Sequence, residues 1–352
     1  MKSKNFMSFI GSICLVLILV TLLLTVAFPR SAESASAEKP IELRWTSSYG
    51  DNVMPTMKAN WIAAEVAKRT GGKVKITVYP NQTLAKVPDF LNALASGIAD
   101  GATLPIPVYP GKFPELGITE LPFFIPNRGV ATEVLAEFWH SGLVKSFDPY
   151  HVISMNATSA AFWYFRDKKV TSMEDLKGMK FRSPGGVNLQ AVELLGVSPV
   201  GITVTEVPMA LERGIIDGLN TMDEFFVPTK MYEFSKYSMR LPLFFGQHVE
   251  VMSQAAWKKV PPEYQVVLNQ VGIEAMYWCL SKQDSSDTEY QNVLRNKNME
   301  LYLISPDEQA RWKKTVHPII DEWVKGMEAK GIPGKELLKK GEEILDRFQT
   351  NR

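Results

Sequence analysis

The chain has 352 residues, 45% hydrophobic and 22% charged, with 39 Lys and Arg against 38 Asp and Glu. That balance excludes a mainly disordered or collagenous chain and a disulfide scaffold, and the absence of a long basic run argues against a nucleic-acid partner. At ~150 residues per domain the length suits two domains.

Lys2 and Lys4 precede an apolar run from Phe9 to Phe28, and small residues then lead to Ala35-Ser36-Ala37. A basic start, an apolar centre and an A-x-A site describe an export signal over residues 1–37, cleaved after Ala37. The alternative is an uncleaved anchor, because the run is long for a signal. No other segment is apolar enough to cross a membrane, which excludes a multi-span transporter. Cleavage removes Lys2, Lys4, Arg30 and Glu33, so the net charge moves from +1 to −1. It also removes Cys14 and leaves Cys279 alone, so no internal disulfide is expected. Cys279 lies in the apolar stretch Ala275 to Leu280 and reads as buried filler. A mature chain of about 315 residues buries enough surface to hold without staples.

Ile41, Leu43 and Trp45 alternate with polar residues, which predicts a strand. Met57, Trp61, Ala64 and Lys68 follow at helical spacing, and Thr70-Gly71-Gly72 ends that helix. Val74, Ile76 and Val78 alternate again, and a helix over about Val87 to Ser96 follows. This β-α-β-α order predicts an α/β fold with a largely parallel sheet. Later, Lys180 to Ser183 reads as a strand and Asn188 to Leu195 as a helix ending at Gly196. Val200 to Val204 reads as another strand, with Thr205 capping a helix over Glu206–Arg213. A long helix is expected over Pro262 to about Asn296. The tail, about Pro306 to Phe348, reads as amphipathic helix interrupted at Gly331-Ile332-Pro333-Gly334.

One segment repeats. Ala93 to Gly101 and Ala210 to Gly218 both read A-L-x-x-G-I-x-D-G, six matching positions in nine. Each is a helix end, a Gly suited to a left-handed exit, a short buried strand and Asp-Gly. Duplicated architecture follows, with two α/β lobes facing one another across a cleft. Ligands bind beyond the carboxyl ends of strands in such sheets. Ala102-Thr103-Leu104 is expected on one wall and Leu219-Asn220-Thr221 on the other.

His140, His151, His248 and His317 are widely spaced, and neither HExxH nor CxxC occurs, so no metal site is supported. GxSxG, P-loop and GxGxxG motifs are also missing, and no cofactor is expected. Asp223-Glu224 is expected to be a solvated helix start rather than a carboxylate pair, because adjacent helical residues do not face each other. Arg182 ends a predicted strand before Pro184-Gly185-Gly186. By spacing alone it reads as a surface residue, but a guanidinium there can enter a cleft and grip a carboxylate with two parallel bonds. Phe162-Trp163-Tyr164-Phe165 alternates in a strand, and one pair could give a ligand an aromatic wall.

The run Asp175-Leu176-Lys177-Gly178-Met179-Lys180-Phe181-Arg182 resembles the DLKGxKxR signature of TRAP-type periplasmic solute receptors, the dicarboxylate-receptor-like family. Thr70 to Val74 is similar to its TGGKV. Glu120-Leu121-Pro122-Phe123-Phe124, Glu206 to Gly218 and Trp257 to Gln265 resemble further motifs in the family's order. The resemblance covers nearly the whole mature chain. It implies a two-lobed, periplasmic-binding-protein-like α/β fold with a ligand cleft between lobes and a long helix near the C-terminal third. Lobe one is then 38–158 plus about 250–285, and lobe two 159–249 plus about 286–352. It implies a receptor, not an enzyme, that closes on a small organic acid and passes it to the membrane permease subunits of a TRAP transporter. The mature protein is then periplasmic, soluble and peripheral to the membrane.

Arg182 occupies the position of the family's carboxylate-gripping arginine. Two departures stand out. The stretch around Ala161 to Trp163 is aromatic where members that bind sialic acids or C4-dicarboxylates often carry a second arginine, with Arg166 out of register. Leu219-Asn220-Thr221-Met222 replaces the usual QENP after Asp-Gly. The expected contacts are Arg182, Asn220 and Thr221, an apolar wall at Trp163, and Tyr49 with Thr103 from lobe one. With Arg182 as the sole expected carboxylate partner, a monocarboxylate with a sizeable apolar part is favoured over short diacids. Two other readings stay open: a receptor presenting its ligand to a membrane sensor, and a periplasmic α/β enzyme.

Overall fold

The computed structural model describes residues 39–350, Pro110 excepted. The export signal expected over 1–37 lies outside them. Strand β1 (Ile41–Thr46), helix α1 (Met54–Arg69), β2 (Val74–Tyr79), α2 (Phe90–Ser96) and β3 (Gly101–Pro105) follow the predicted order. β1 pairs in parallel with both β2 and β3. Helix α3 (Arg128–His140) leads into β4, a 16-residue strand over Tyr150–Phe165. Then come α4 (Met173–Leu176), β5 (Lys180–Arg182), α5 (Val187–Leu194), β6 (Ser198–Pro199), α6 (Val207–Glu212), β7 (Gly218–Met222) and α7 (Asp223–Phe226). β8 (Tyr237–Met239), β9 (Phe245–Ser253) and α8 (Gln254–Trp257) precede the long helix α9 (Pro262–Asn296). β10 (Glu300–Tyr302) and helices α10 (Pro306–Val316), α11 (Pro318–Glu328) and α12 (Gly334–Thr350) close the chain.

The strands run in the order β2-β1-β3-β9-β4-β7-β5-β6, with β8 joining β4 to β10. β4 serves both lobes. Tyr150 to Ala160 pairs antiparallel with β9, and Ala161 to Phe165 pairs with β7. A register shift between Ala157 and Ala160, still within the pairing to β9, comes just before the change of partner at Ala161.

The repeat proves structural down to single hydrogen bonds. Asp100 accepts from the Arg44 N–H of β1 at 2.9 Å, and Asp217 accepts from the Lys180 N–H of β5 at 2.8 Å. Trp45 pairs with Gly101, and Phe181 pairs with Gly218. A Cβ on Gly101 would stand 2.2 Å from the Trp45 ring, and one on Gly218 2.6 Å from the Tyr164 carbonyl and 2.8 Å from the Phe181 ring. The Asp anchors the strand start, and the Gly lets the neighbouring aromatic lie flat across it. β1 and β5 are therefore equivalent, as are β3 and β7.

Each lobe buries apolar side chains on both faces of its sheet, as parallel strands require. In the first lobe Leu43, Trp45, Ile62 and Val66 fill one side and Leu104, Leu116, Phe138 and Val249 the other. In the second, Trp163, Phe165, Phe181 and Trp312 oppose Tyr164, Leu211, Leu219 and Phe226. Each such side chain contributes ~1.5–3 kcal/mol of burial. Helix α9 matches its predicted span. At 1.5 Å per residue its 35 residues reach ~50 Å, enough to place Leu268 and Val271 in the first lobe's core and Leu294 in the second's. The tail, expected wholly in the second lobe, divides: Trp312 and Val316 join the second lobe's core, while Leu337 and Ile344 pack into the first.

Three local expectations differ. Val200 to Val204 forms no strand: the ladder ends where the Val200 N–H meets the Phe181 carbonyl at 2.9 Å, and the next residues form a loop. Thr203, not Thr205, opens the following turn, its N–H and hydroxyl both donating to Glu206. Asp223 and Glu224 are buried, not solvated. They do point apart: Asp223 pairs with Arg240 and accepts from the Tyr164 hydroxyl, while Glu224 accepts from Ser159 and Gln283.

Candidate functional site

Where β1, β3, β5 and β7 end, their following loops meet around a cavity of about 650 Å³. Ser48 and Tyr49 enter from the loop after β1, and Pro105, Pro107 and Val108 from the end of β3. The second lobe contributes Arg182, Ser183, Pro184 and Gly185 from β5 and its turn, and Thr221 and Met222 from β7. Val200 to Thr203 add a loop, and Gln247 and His248 of β9 form the floor. The position fits the rule that ligands lie outside the carboxyl ends of strands in open α/β sheets. The duplicated frame explains why both lobes present loops there.

Arg182 pairs with Leu219 as Thr46 pairs with Ala102, so the arginine stands at the second lobe's copy of a position that is a small hydroxyl in the first. Its Nε is buried without a hydrogen-bond partner. Among the described residues no carboxylate lies within ion-pair reach of it, whereas Arg128 and Arg240 are both paired with aspartates. Burial pushes its pKa down, against a weaker upward pull from Tyr49. The group nevertheless remains a cation, as arginine does in proteins. Tyr49 packs edge-on against Phe225 and His248, each ring centre 5.6 Å away. Burial lifts its phenol pKa to about 12, against the pull of Arg182, so it stays a donor.

Three expected contacts lie elsewhere. Trp163 is fully buried and packs on Phe181 at 5.5 Å and Trp312 at 5.1 Å, in the second lobe's core. Asn220 is its cross-strand partner, on the same face and also fully buried. Thr103 is buried with its hydroxyl taking the Trp45 indole N–H at 3.0 Å. Arg182, Tyr49 and Thr221 do come together. Phe162 lies in a second cavity, under the Arg240 guanidinium at 3.5 Å. That cavity's arginines are paired with acids: Arg240 donates to Asp223 at 2.9 Å, and Arg128 to Ser159 at 2.7 Å and Asp287 at 3.1 Å, although the Arg128 Nε, like that of Arg182, is buried without a hydrogen-bond partner.

Residues 50–326 match the family described as bacterial extracellular solute-binding protein, family 7. The chain belongs to that family. Solved neighbours of this family 7 protein include a TRAP periplasmic solute binding protein from Desulfovibrio salexigens. It is 25% identical, with TM-score 0.77 over 87% of this chain and 96% of the other. A TRAP solute binding protein from Rhodoferax ferrireducens T118, in complex with copurified benzoate, shares the two-lobed fold at 21% identity. Its TM-score is 0.82 over 88% of this chain and 99% of the other.

Among curated relatives, a Nostoc protein named as a monocarboxylate 2-oxoacid-binding periplasmic protein is 28% identical over 266 residues, covering 71% of this chain and 70% of the relative. A C4-dicarboxylate-binding protein of Bacillus subtilis is 22% identical over 315 residues, covering 87% and 86%. An uncharacterized Haemophilus influenzae protein is 26% identical over 211 residues, covering 59% of this chain and only 64% of the relative's length.

Two residues lining the cavity escaped sequence reasoning. His248 sits in β9, whose nine residues are all buried, so no alternation marks it. Burial, then the nearby Lys58, push its pKa down to about 3, and the imidazole is neutral. Glu206 stands where the loop meets the turn before α6. The Thr203 hydroxyl and N–H hold its carboxyl below the usual carboxylate range. Among the described residues no three His, Cys, Asp or Glu side chains gather as a metal would need, and no helix is long and apolar enough to cross a membrane.

Proposed function

We propose that this chain is the extracytoplasmic receptor of a TRAP-type transporter. It captures a small organic acid between its lobes and delivers it, unaltered, to the membrane permease. One observation carries this reading: a half-buried arginine in the cavity wall, its Nε enclosed without a hydrogen-bond partner and its guanidinium without an acidic partner among the described residues. An unpaired buried charge is costly unless an anion completes it. A carboxylate matches the planar fork in shape and charge. Tyr49 and Thr221 add hydroxyl donors, from the first and second lobe respectively. The family membership and the expected export signal, cut after Ala37, support a periplasmic place of work.

Mass spectrometry of small molecules released from the purified protein identifies the ligand, and calorimetry then tests the clamp. Losing one partner of a desolvated charge pair costs ~2–5 kcal/mol. Arg182→Lys should therefore weaken binding by a factor of about 30 or more, since a point charge cannot replace the bidentate fork. Near-normal affinity in Arg182→Ala would overturn the reading.

A further inference from the structure

We infer that the cavity selects monocarboxylates with a sizeable apolar body and rejects their dicarboxylate analogues, with Glu206 and His248 as specificity-determining residues. The inference rests on the carboxylate-receptor reading and adds the substrate class. Its ground is the inventory of charge around the cavity. Two lining side chains carry full charge, and they are of opposite sign, Arg182 and Glu206. Glu206 is exposed and accepts from the Thr203 N–H at 2.8 Å and the Thr203 hydroxyl at 2.7 Å. An acid group brought beside it meets a like charge, screened by solvent but with no cation besides Arg182 among the described lining residues to offset it.

The floor offers no cation either. His248 is 5% exposed, and burial and Lys58 keep its ring neutral. Lys58, beneath the floor, is already taken by Glu250 and Asn156. Tyr49 is a neutral phenol. One carboxylate thus finds a partner at Arg182, and a second would lose its water against an acid or against neutral groups.

The walls favour the opposite kind of substituent. Pro105, Pro107, Val108, Ile202, Phe225 and Phe244 present carbon, and a cavity of about 650 Å³ holds far more than a bare acid group. Burying an apolar body there removes area from water on both ligand and wall. These walls are not the pair suggested by alternation at Phe162-Trp163. The preference for a monoacid stands on different residues.

The test is a thermal-shift and calorimetry panel of matched pairs on one skeleton: benzoate against terephthalate, valerate against glutarate, and longer aliphatic and aryl-alkanoic pairs. The corresponding amides form a third arm. Monoacids should stabilise the protein, with diacids at least a hundredfold weaker and amides silent. Glu206→Gln should narrow the gap between mono- and diacid by tenfold or more, read as the ratio of the two affinities in the same variant. A diacid binding within tenfold of its monoacid, or stabilisation by no monoacid in the panel, would overturn this inference. Amides binding as well as acids, unaffected by Arg182→Met, would instead overturn the carboxylate-receptor reading itself.

Discussion

Glu120→Gln should abolish a large part of the protein's loss of stability with rising pH. Glu120 is 5% exposed, at the end of a short turn of the first lobe, and accepts from the Asn188 side-chain amide of α5 in the second at 2.7 Å. Burial, opposed by its bonds to Gln247 and Asn188, lifts its pKa from 4.5 to about 8. Below pH 4.5 folded and unfolded chains both hold the proton. Between 4.5 and 8 the folded chain alone keeps it, so this group's contribution is fully present at low pH and is lost as pH rises through 8. At ~1.4 kcal/mol per pH unit, the loss between pH 5 and pH 9 comes to about 4 kcal/mol.

Glutamine keeps the oxygen that accepts from Asn188. It also offers a permanent N–H toward Gln247, whose side-chain oxygen is otherwise unbonded. Urea unfolding at pH 5, 7 and 9 measures both proteins, and titrations common to the two cancel in the difference. The variant should be close to the parent at pH 5 and more stable by about 4 kcal/mol at pH 9. Parallel stability profiles across that range would refute the argument that Glu120 is protonated in the folded state.

Gly218→Ala should destabilise by ~3 kcal/mol or more, because its Cβ would meet the Tyr164 carbonyl, which the sheet holds in place. Denaturant midpoints check it, and a change under 1 kcal/mol would mean that β5 and β7 yield easily. Lys58→Met strands Glu250, both fully buried, and should cost ~3–5 kcal/mol at pH 8. Burial already lifts the Glu250 pKa to about 7, so the cost should shrink at pH 5, where the carboxyl takes a proton. Adding Glu250→Gln should recover part of the stability. An equal cost at both pH values would show that the loss is one of packing.

Much of this frame was legible because each signal was local. Alternation marked β1 and β2, the uninterrupted helical pattern marked α9, and the repeated Asp-Gly pointed to two lobes and to the strand ends where the cavity lies. Arg182 by spacing alone read as a surface residue, and only the resemblance of Asp175 to Arg182 to the family signature pointed to it. Trp163 and Asn220 were misplaced for a physical reason: alternation assigns residues to two faces but cannot say which face meets a cavity when both are buried. Thr103 failed because its hydroxyl is used by Trp45, 58 residues away. Asp223 and Glu224 read as solvated because their partners lie distant in sequence, Arg240 17 residues away and Gln283 59. Nothing near them announces burial. His248 had no signal beyond its residue type.

The sharing of β4 has a bearing on how such a protein can be taken apart. No single cut in the chain yields two complete halves. The strand Tyr150–Phe165 is inner structure to both sheets, α9 has one end in each core, and Leu337 and Ile344 return to the first after Trp312 has packed in the second. A fragment ending near Ala160 would carry an open sheet edge without β9, and its complement would lack the strand against which β7 forms. Chimaeras joining the binding wall of one relative to that of another must therefore exchange interleaved segments together. Unfolding of either half removes a structural strand from the other, so the two should melt as one cooperative unit rather than in sequence.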